Sequence, residues 1–271
     1  MLPPHGPLLA IDCSTELLCL AVAGPLGRRS WVGPGGSQAS GQLLERARAL
    51  LEGQGASLGS LSAVAFGRGP GAFTGLRTAC AVAQGLSFGA RCPVLPVDSL
   101  LIVAEGWRLQ CASRAEAGPA TAGQTGSVAE PFDVGVVMDA RMGEVYAGRY
   151  RWAKGAWQEL QAPMLATPAG VGEAWRPQPP AWLAGNGWGL LPEMPAGCCG
   201  AEQDDRARAE GLLSLALQAV ADPHRAVKPA QALPLYLRDK VALTTAERAQ
   251  AIATPPLRAA AQARGLDSHG G

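Results

Sequence analysis

LLAIDCSTELLCLAVAG, residues 8–24, is two apolar runs with a short polar break between them. The first starts at Leu8 and closes on Asp12; the second covers Leu17–Ala23. Each has strand length, and a break of four residues reads as a hairpin connection. Arg28–Val32 adds a shorter edge strand. The same order returns after residue 132. Asp133–Met138 is apolar and closes on Asp139, Glu144–Arg151 alternates as its hairpin partner, and Ala156–Gln161 follows as a third strand. Helix 168–175, strand 181–184 and helix 205–221 complete the second half.

In the first half the period changes at Gln38–Gly53. Leu43, Leu44, Ala47, Leu50 and Leu51 form one stripe, with Glu45, Arg46, Arg48 and Glu52 outside it, the pattern of an amphipathic helix. Leu61–Phe66 reads as a buried strand and 67–75 as a glycine-rich loop. Thr74 is the expected N-cap of a helix running to about Gly89. Strand Pro93–Val97 and helix Ser99–Cys111 follow. Both halves thus read β-β-β-α-β-α, and the expected fold is α/β, two lobes of duplicated topology. The expected lobes are 1–111 and 132–245, joined through a small, polar, aperiodic linker or insertion at 112–131. PLYLRDK (234–240) is the strand-like island of the C-terminal segment, and 246–271 is expected to be a disordered tail.

With 271 residues, 48% hydrophobic and 17% charged, the chain can bury a core without disulfides and is not a disordered protein. Lys and Arg (23) nearly balance Asp and Glu (22), so the basic footprint of a protein that grips nucleic acid unaided is missing. No apolar run reaches the roughly 18 residues of a membrane span, and no charged leader precedes Asp12. The seven cysteines form no CxxC and sit mostly in apolar segments, which reads as reduced, buried thiols in a cytoplasmic protein. Histidines stand only at 5, 224 and 269. That distribution argues against Ser-His-Asp, Cys-His and His-ligated metal chemistry, since His224 lies in a Pro-flanked turn and the others near the termini.

AFGRGPGAFTGLR (65–77) joins a strand to a helix N-terminus through four glycines, 67, 69, 71 and 75. It is neither a Walker A loop nor a dinucleotide fingerprint. In one reading its amides, those of Gly69 and Gly71 among them, cradle an anion with help from Arg68 and Arg77. In the other it is a tight turn whose glycines permit close packing. Asp12 and Thr15 are similarly open: an Asp and hydroxyls at a strand end hold magnesium and phosphates in kinase-type sites. Asp12, Thr15, Gly69, Gly71 and Arg77 are therefore the candidate nucleotide or phosphate residues. At the equivalent place of the second half, DARMGE (139–144) carries an arginine and reads as a turn with an Asp139–Arg141 or Arg141–Glu144 salt bridge. GNGW (185–188) is a turn or lies beside a nucleoside. Helix 75–89, rich in small residues, and the leucine stripe of 38–53 serve either the core or a subunit interface.

LLAIDCSTE (8–16), AFGRGPGAFTGLR (65–77), AQGLSFG (83–89), MDARMGEVYAGRY (138–150), GNGW (185–188) and PLYLRDKVA (234–242) occur in an order that resembles the bacterial TsaB, or YeaZ, family. The resemblance runs from about residue 8 to about 245, and GRGPGAFTGLR and DARMGEVY are its most specific blocks. It implies the two-lobe fold of actin-like ATPases, related to ribonuclease H, and a non-catalytic paralogue of TsaD without the latter's metal-binding HxxxH. It further implies binding to TsaD through first-lobe helices, with the ATPase TsaE joining the pair and tRNA reached through the complex. That complex makes N6-threonylcarbamoyladenosine at adenosine 37 of tRNA. Alone, the same surface would form a homodimer. No catalytic residue, metal or cofactor of its own is implied, with at most weak ATP or ADP binding in the complex. Leu43, Ala47, Leu50, Ala79 and Ala83 are the expected contact or supporting positions. Ser37-Gln-Ala-Ser40 departs from the family's usual His-(Ser/Thr), and 112–131 and the tail are longer than usual. The alternative, resting on Asp12, Thr15 and the 67–77 loop, is a stand-alone ATP-using enzyme of the actin-like or sugar-kinase class.

Overall fold

Two five-stranded mixed sheets repeat one strand order. In the first, β1 (Leu8–Asp12) pairs antiparallel with β2 (Leu17–Gly24) and parallel with β4 (Ala63–Gly69). β3 (Gly27–Pro34) and β5 (Val94–Asp98) form the edges, giving the order β3-β2-β1-β4-β5. In the second, β6 (Phe132–Arg141) lies between β7 (Glu144–Ala153) and β9 (Trp182–Ala184), with β8 (Ala156–Ala166) and β10 (Cys199–Gly200) outside. Its order, β8-β7-β6-β9-β10, is that of the first sheet. This is the duplicated α/β topology expected from the sequence. The coordinates are a computed structural model and describe residues 6–116, 130–201 and 203–238.

β1 is buried along its whole length, because strands flank it on both sides and helices cover both faces. On one face, α1 (Ala39–Glu52) and α2 (Phe73–Ala90) set Leu43, Ala47, Leu51, Ala79 and Ala83 against Leu9, Ile11 and Phe66. The other face meets α5 (Asp205–Val220), whose Leu212, Leu215 and Ala216 pack on Leu8, Ala10, Ala65 and Val97. α3 (Ser99–Glu116) follows the first sheet in the chain but places Val103, Ala104 and Trp107 on Val134 and Val136 of β6. α4 (Pro168–Trp175) closes the far side of the second sheet with Val171 and Trp175. The halves therefore exchange helices, and α3 and α5 share the layer between the sheets. They approach at Gly106 and Gly211, where a Cβ on Gly211 would stand 2.5 Å from the Ile102 carbonyl oxygen. Among the described residues no helix is long and apolar enough to cross a membrane.

Several local expectations change. Leu44 leaves the expected stripe: α1 buries Leu43, Ala47 and Leu51 at intervals of four, while Leu44 is 46% exposed. Thr74 is not the N-cap; α2 begins at Phe73, Ala72 sits at the cap without a side-chain bond, and the Ala72 N–H goes to the Ser14 carbonyl. α3 continues to Glu116, into the expected linker, and β8 continues to Ala166. Between β9 and β10 the second half has only the 3-10 turn Trp188–Leu190 where the first has α2. Of PLYLRDK, residues 234–238 are an extended strap rather than a strand. Pro234 has no N–H, and the strap's bond to the sheet end is Leu235 N–H to the Arg68 carbonyl, 2.7 Å. Most of the expected linker (117–129) and the whole expected tail lie outside the described residues.

Candidate functional site

The end of β1 places Asp12 at the floor of a cleft, with no exposure to solvent. The turn that follows folds back on it: the Ser14 N–H and hydroxyl donate to Oδ1 and Oδ2 at 3.3 and 3.0 Å. Ser99, first residue of α3, approaches Oδ1 at 3.5 Å. One turn into α5, Arg208 donates from Nε to Asp12 Oδ2 at 2.7 Å and from Nη2 to Ser14 Oγ. Asp204 caps α5 by accepting the Arg206 N–H at 2.8 Å, which orients the first turn toward the cleft. Arg208 is raised further above its usual pKa by the Asp12 carboxylate, against the opposing effect of burial, and stays charged. Burial, reinforced by Asp12, pushes the neighbouring thiols of Cys13 and Cys19 up, Cys19 to about 12. Neither is a thiolate nucleophile at neutral pH.

Above this floor is a cavity of about 410 Å³ between the Thr15–Leu17 turn and second-half segments that include Asn186, Gln203 and the N-terminus of α5. Its charged rim is acidic: Glu16, Asp204 and Asp205 line it, and among the described residues the one lining guanidinium, Arg208, is already engaged. Asp139, the strand-end aspartate of the second sheet, is paired in the same manner. It accepts the Arg141 N–H at 2.7 Å and Arg141 Nη1 at 3.3 Å, the turn salt bridge expected from the sequence. Arg141 also donates to Glu16, which lines the cavity, a contact the sequence does not signal. GNGW forms a turn clipped to β6, the Asp139 N–H donating to Asn186 Oδ1 at 3.1 Å and the Gly187 N–H to the Val137 carbonyl at 2.9 Å. Asn186 thus both holds the turn and faces the cavity.

Of the five candidate nucleotide residues, Thr15 lines this cavity and Asp12 lies beneath it, blocked by Arg208. Gly69, Gly71 and Arg77 belong elsewhere. The Gly69 N–H goes to Ser99 Oγ at 3.1 Å, and Gly71 packs so closely on Ser14 that a Cβ would collide with its carbonyl oxygen. The 67–75 loop therefore behaves as a turn packed on the chain itself. Arg68 pairs with Asp98, while Arg77 stacks over Phe73, 3.8 Å from the ring centroid, and donates to the Tyr236 hydroxyl at 3.2 Å. The candidate interface residues divide differently. Leu43, Ala47, Ala79 and Ala83 are wholly buried against the first sheet, and Leu50 packs half-buried beside them. They support the helices from beneath, because their faces are turned to the sheet. The outward face carries Leu44 and Arg48 on α1, and Thr74, Ala81, Gly85 and Phe88 on α2. Among the described residues no three His, Cys, Asp or Glu side chains gather into a metal-holding group.

Comparison with known proteins places these features. Residues 37–184 match a family model described as TsaD, tRNA N6-adenosine threonylcarbamoyltransferase. The chain is 31% identical over 243 residues to the tRNA threonylcarbamoyladenosine biosynthesis protein TsaB of Escherichia coli, covering 87% of this chain and 96% of that protein. It is 32% identical over 140 residues to TsaB of Haemophilus influenzae, 51% of each chain. The solved structure of YeaZ from Pseudomonas aeruginosa superposes with a TM-score of 0.67 at 35% identity, over 86% of this chain and all of that one.

Proposed function

The chain belongs to the TsaB (YeaZ) family, and from that membership we propose that it serves tRNA threonylcarbamoyladenosine biosynthesis as a non-catalytic accessory subunit. It binds the TsaD subunit through the outward face of α1 and α2, TsaE joins that pair, and tRNA is met through the assembly. The observation that carries this reading is Phe88, 80% exposed at the end of the α2 face that also carries Thr74, Arg77, Ala81 and Gly85. An aromatic ring left in water beside Ala81 and Gly85 fits a surface that another helix covers, since small residues let backbones approach. In the absence of TsaD the same face pairs two copies of this chain. The committed Asp12 and the packed glycine loop support a role without chemistry of its own.

The cleft beside Thr15 favours a second reading, an ATP-using enzyme, on volume alone. Its acidic rim opposes phosphate, so saturable MgATP binding with turnover by the isolated protein is what would establish it. The primary test is size-exclusion chromatography with light scattering on the protein alone and mixed with TsaD of the same organism. A 1:1 complex formed at the expense of a self-dimer supports the accessory role. A stable monomer that ignores TsaD overturns it.

A further inference from the structure

We propose that Arg208 is a built-in counter-ion for Asp12 and that, with Arg141 on Glu16, it holds the cleft in one conformation that needs neither metal nor nucleotide. Both carboxylates lie in the single turn 12–16, and both guanidiniums come from the second half of the chain, one from α5 and one from the β6–β7 hairpin. The turn is thus the node at which two second-half elements are fastened to the first sheet.

The buried pair is the decisive part. Asp12 is surrounded by donors: Ser14 twice, Ser99 and Arg208. A cation entering at this carboxylate would have to displace a guanidinium that is buried with it and also bound to Ser14. A phosphate approaching from the cavity would meet the lining carboxylates Glu16, Asp204 and Asp205, while the lining guanidinium of Arg208 is bound to Asp12. The Arg141–Glu16 bridge is exposed and weak by itself, but it joins the β6–β7 hairpin to the same turn. The inference does not depend on which partner covers α1 and α2.

Hydrogen exchange on the full-length protein tests it, with MgATP as the probe ligand. Arg208→Met alone would leave a bare buried carboxylate and endanger the fold, so the informative variant combines Asp12→Asn with Arg208→Met and removes both charges. In that variant amides of 13–17 and 203–208 are expected to exchange at least tenfold faster, while β4, β6 and β7 keep their protection. Arg141→Ala should give a smaller acceleration confined to 14–17. In the unmodified protein, saturating MgATP should leave both segments unchanged. Slower exchange of 13–17 on adding MgATP would show that a ligand still takes the site and would overturn the inference. So would unchanged exchange in the double variant, or a uniform acceleration across both sheets, since either would reduce the pair to a contributor to general stability.

Discussion

Trp157 on β8 donates its indole N–H to Glu105 Oε2 on α3 at 2.9 Å, a bond that ties the second sheet to the helix layer between the sheets. Glu105 is wholly buried and also accepts from Ser214 of α5 at 2.6 Å and from Arg108 through both carboxylate oxygens at 2.8 Å. One carboxylate therefore joins three elements. Glu105→Ala strands these donors and is expected to cost about 3–5 kcal/mol, the range for breaking one partner out of a buried ion pair. Glu105→Gln, which keeps the shape, should cost about 1–3 kcal/mol. Urea unfolding measures both, and a loss of only a few tenths in the alanine variant would contradict the network.

Gly71 is where the glycine-rich loop lies on the Ser14 backbone. Gly71→Ala must push the 12–16 turn away from the loop and lengthen the Ala72–Ser14 bond of 2.8 Å. We expect a loss of about 1–3 kcal/mol, as for other overpacked contacts. Calorimetric melting decides the point: an unchanged midpoint would mean the loop amides are free enough to take an anion after all.

Gly85 has nothing within 4 Å of an added Cβ, and Phe88 is mostly in solvent. Gly85→Arg should leave the isolated protein as stable or raise it by up to about 1 kcal/mol, because glycine is a poor helix former. The same change, and Phe88→Glu, should weaken TsaD binding at least tenfold, about 1.4 kcal/mol. Ala79→Glu is the contrasting case and should unfold the lobe, its side chain being buried. Titration calorimetry beside thermal melts separates these outcomes; full affinity in both surface variants would move the interface elsewhere.

Burial raises the Cys19 thiol from an ordinary 9.0 to about 12 and Cys111 to about 11. The folded chain therefore keeps protons that the unfolded chain releases above pH 9, so the thiols' contribution to the unfolding free energy should be level below about pH 9 and fall as pH rises from 9 toward 12. Cys19→Ala should flatten part of that slope. Thiol-reactive reagents at neutral pH should modify the exposed Cys199 and spare Cys13 and Cys19. A flat stability profile from pH 8 to 11 would contradict the burial of these thiols.

Strong periodicity made the framework readable in advance. β1, β2 and β6 are apolar runs, β1 and β6 with an aspartate toward their ends, α4 occupies 168–175 as expected, and α5 ends one residue before its expected limit. Short or weakly patterned pieces were not readable. The two-residue β10 has no periodicity to detect, and the 234–238 strap looks like a strand because local propensity says nothing about which sheet edge is free to pair.

At the site, Asp12 was marked by its place at a strand end, but Arg208 is 196 residues away on a helix with no motif around it. Small residues in 75–89 announced close packing without saying on which face; burial assigned Ala79 and Ala83 to the core and left Gly85 and Phe88 outside. Alternation, capping residues and apolar runs act between near neighbours, so the order of the longer strands and helices and their duplication were properties of the sequence by itself. Which helix covers which sheet, which arginine answers Asp12 and which face of α2 stays in water depend on contacts between distant segments. Those were decided by the tertiary structure, because burial and charge pairing act through space between residues that the chain does not bring close until it folds.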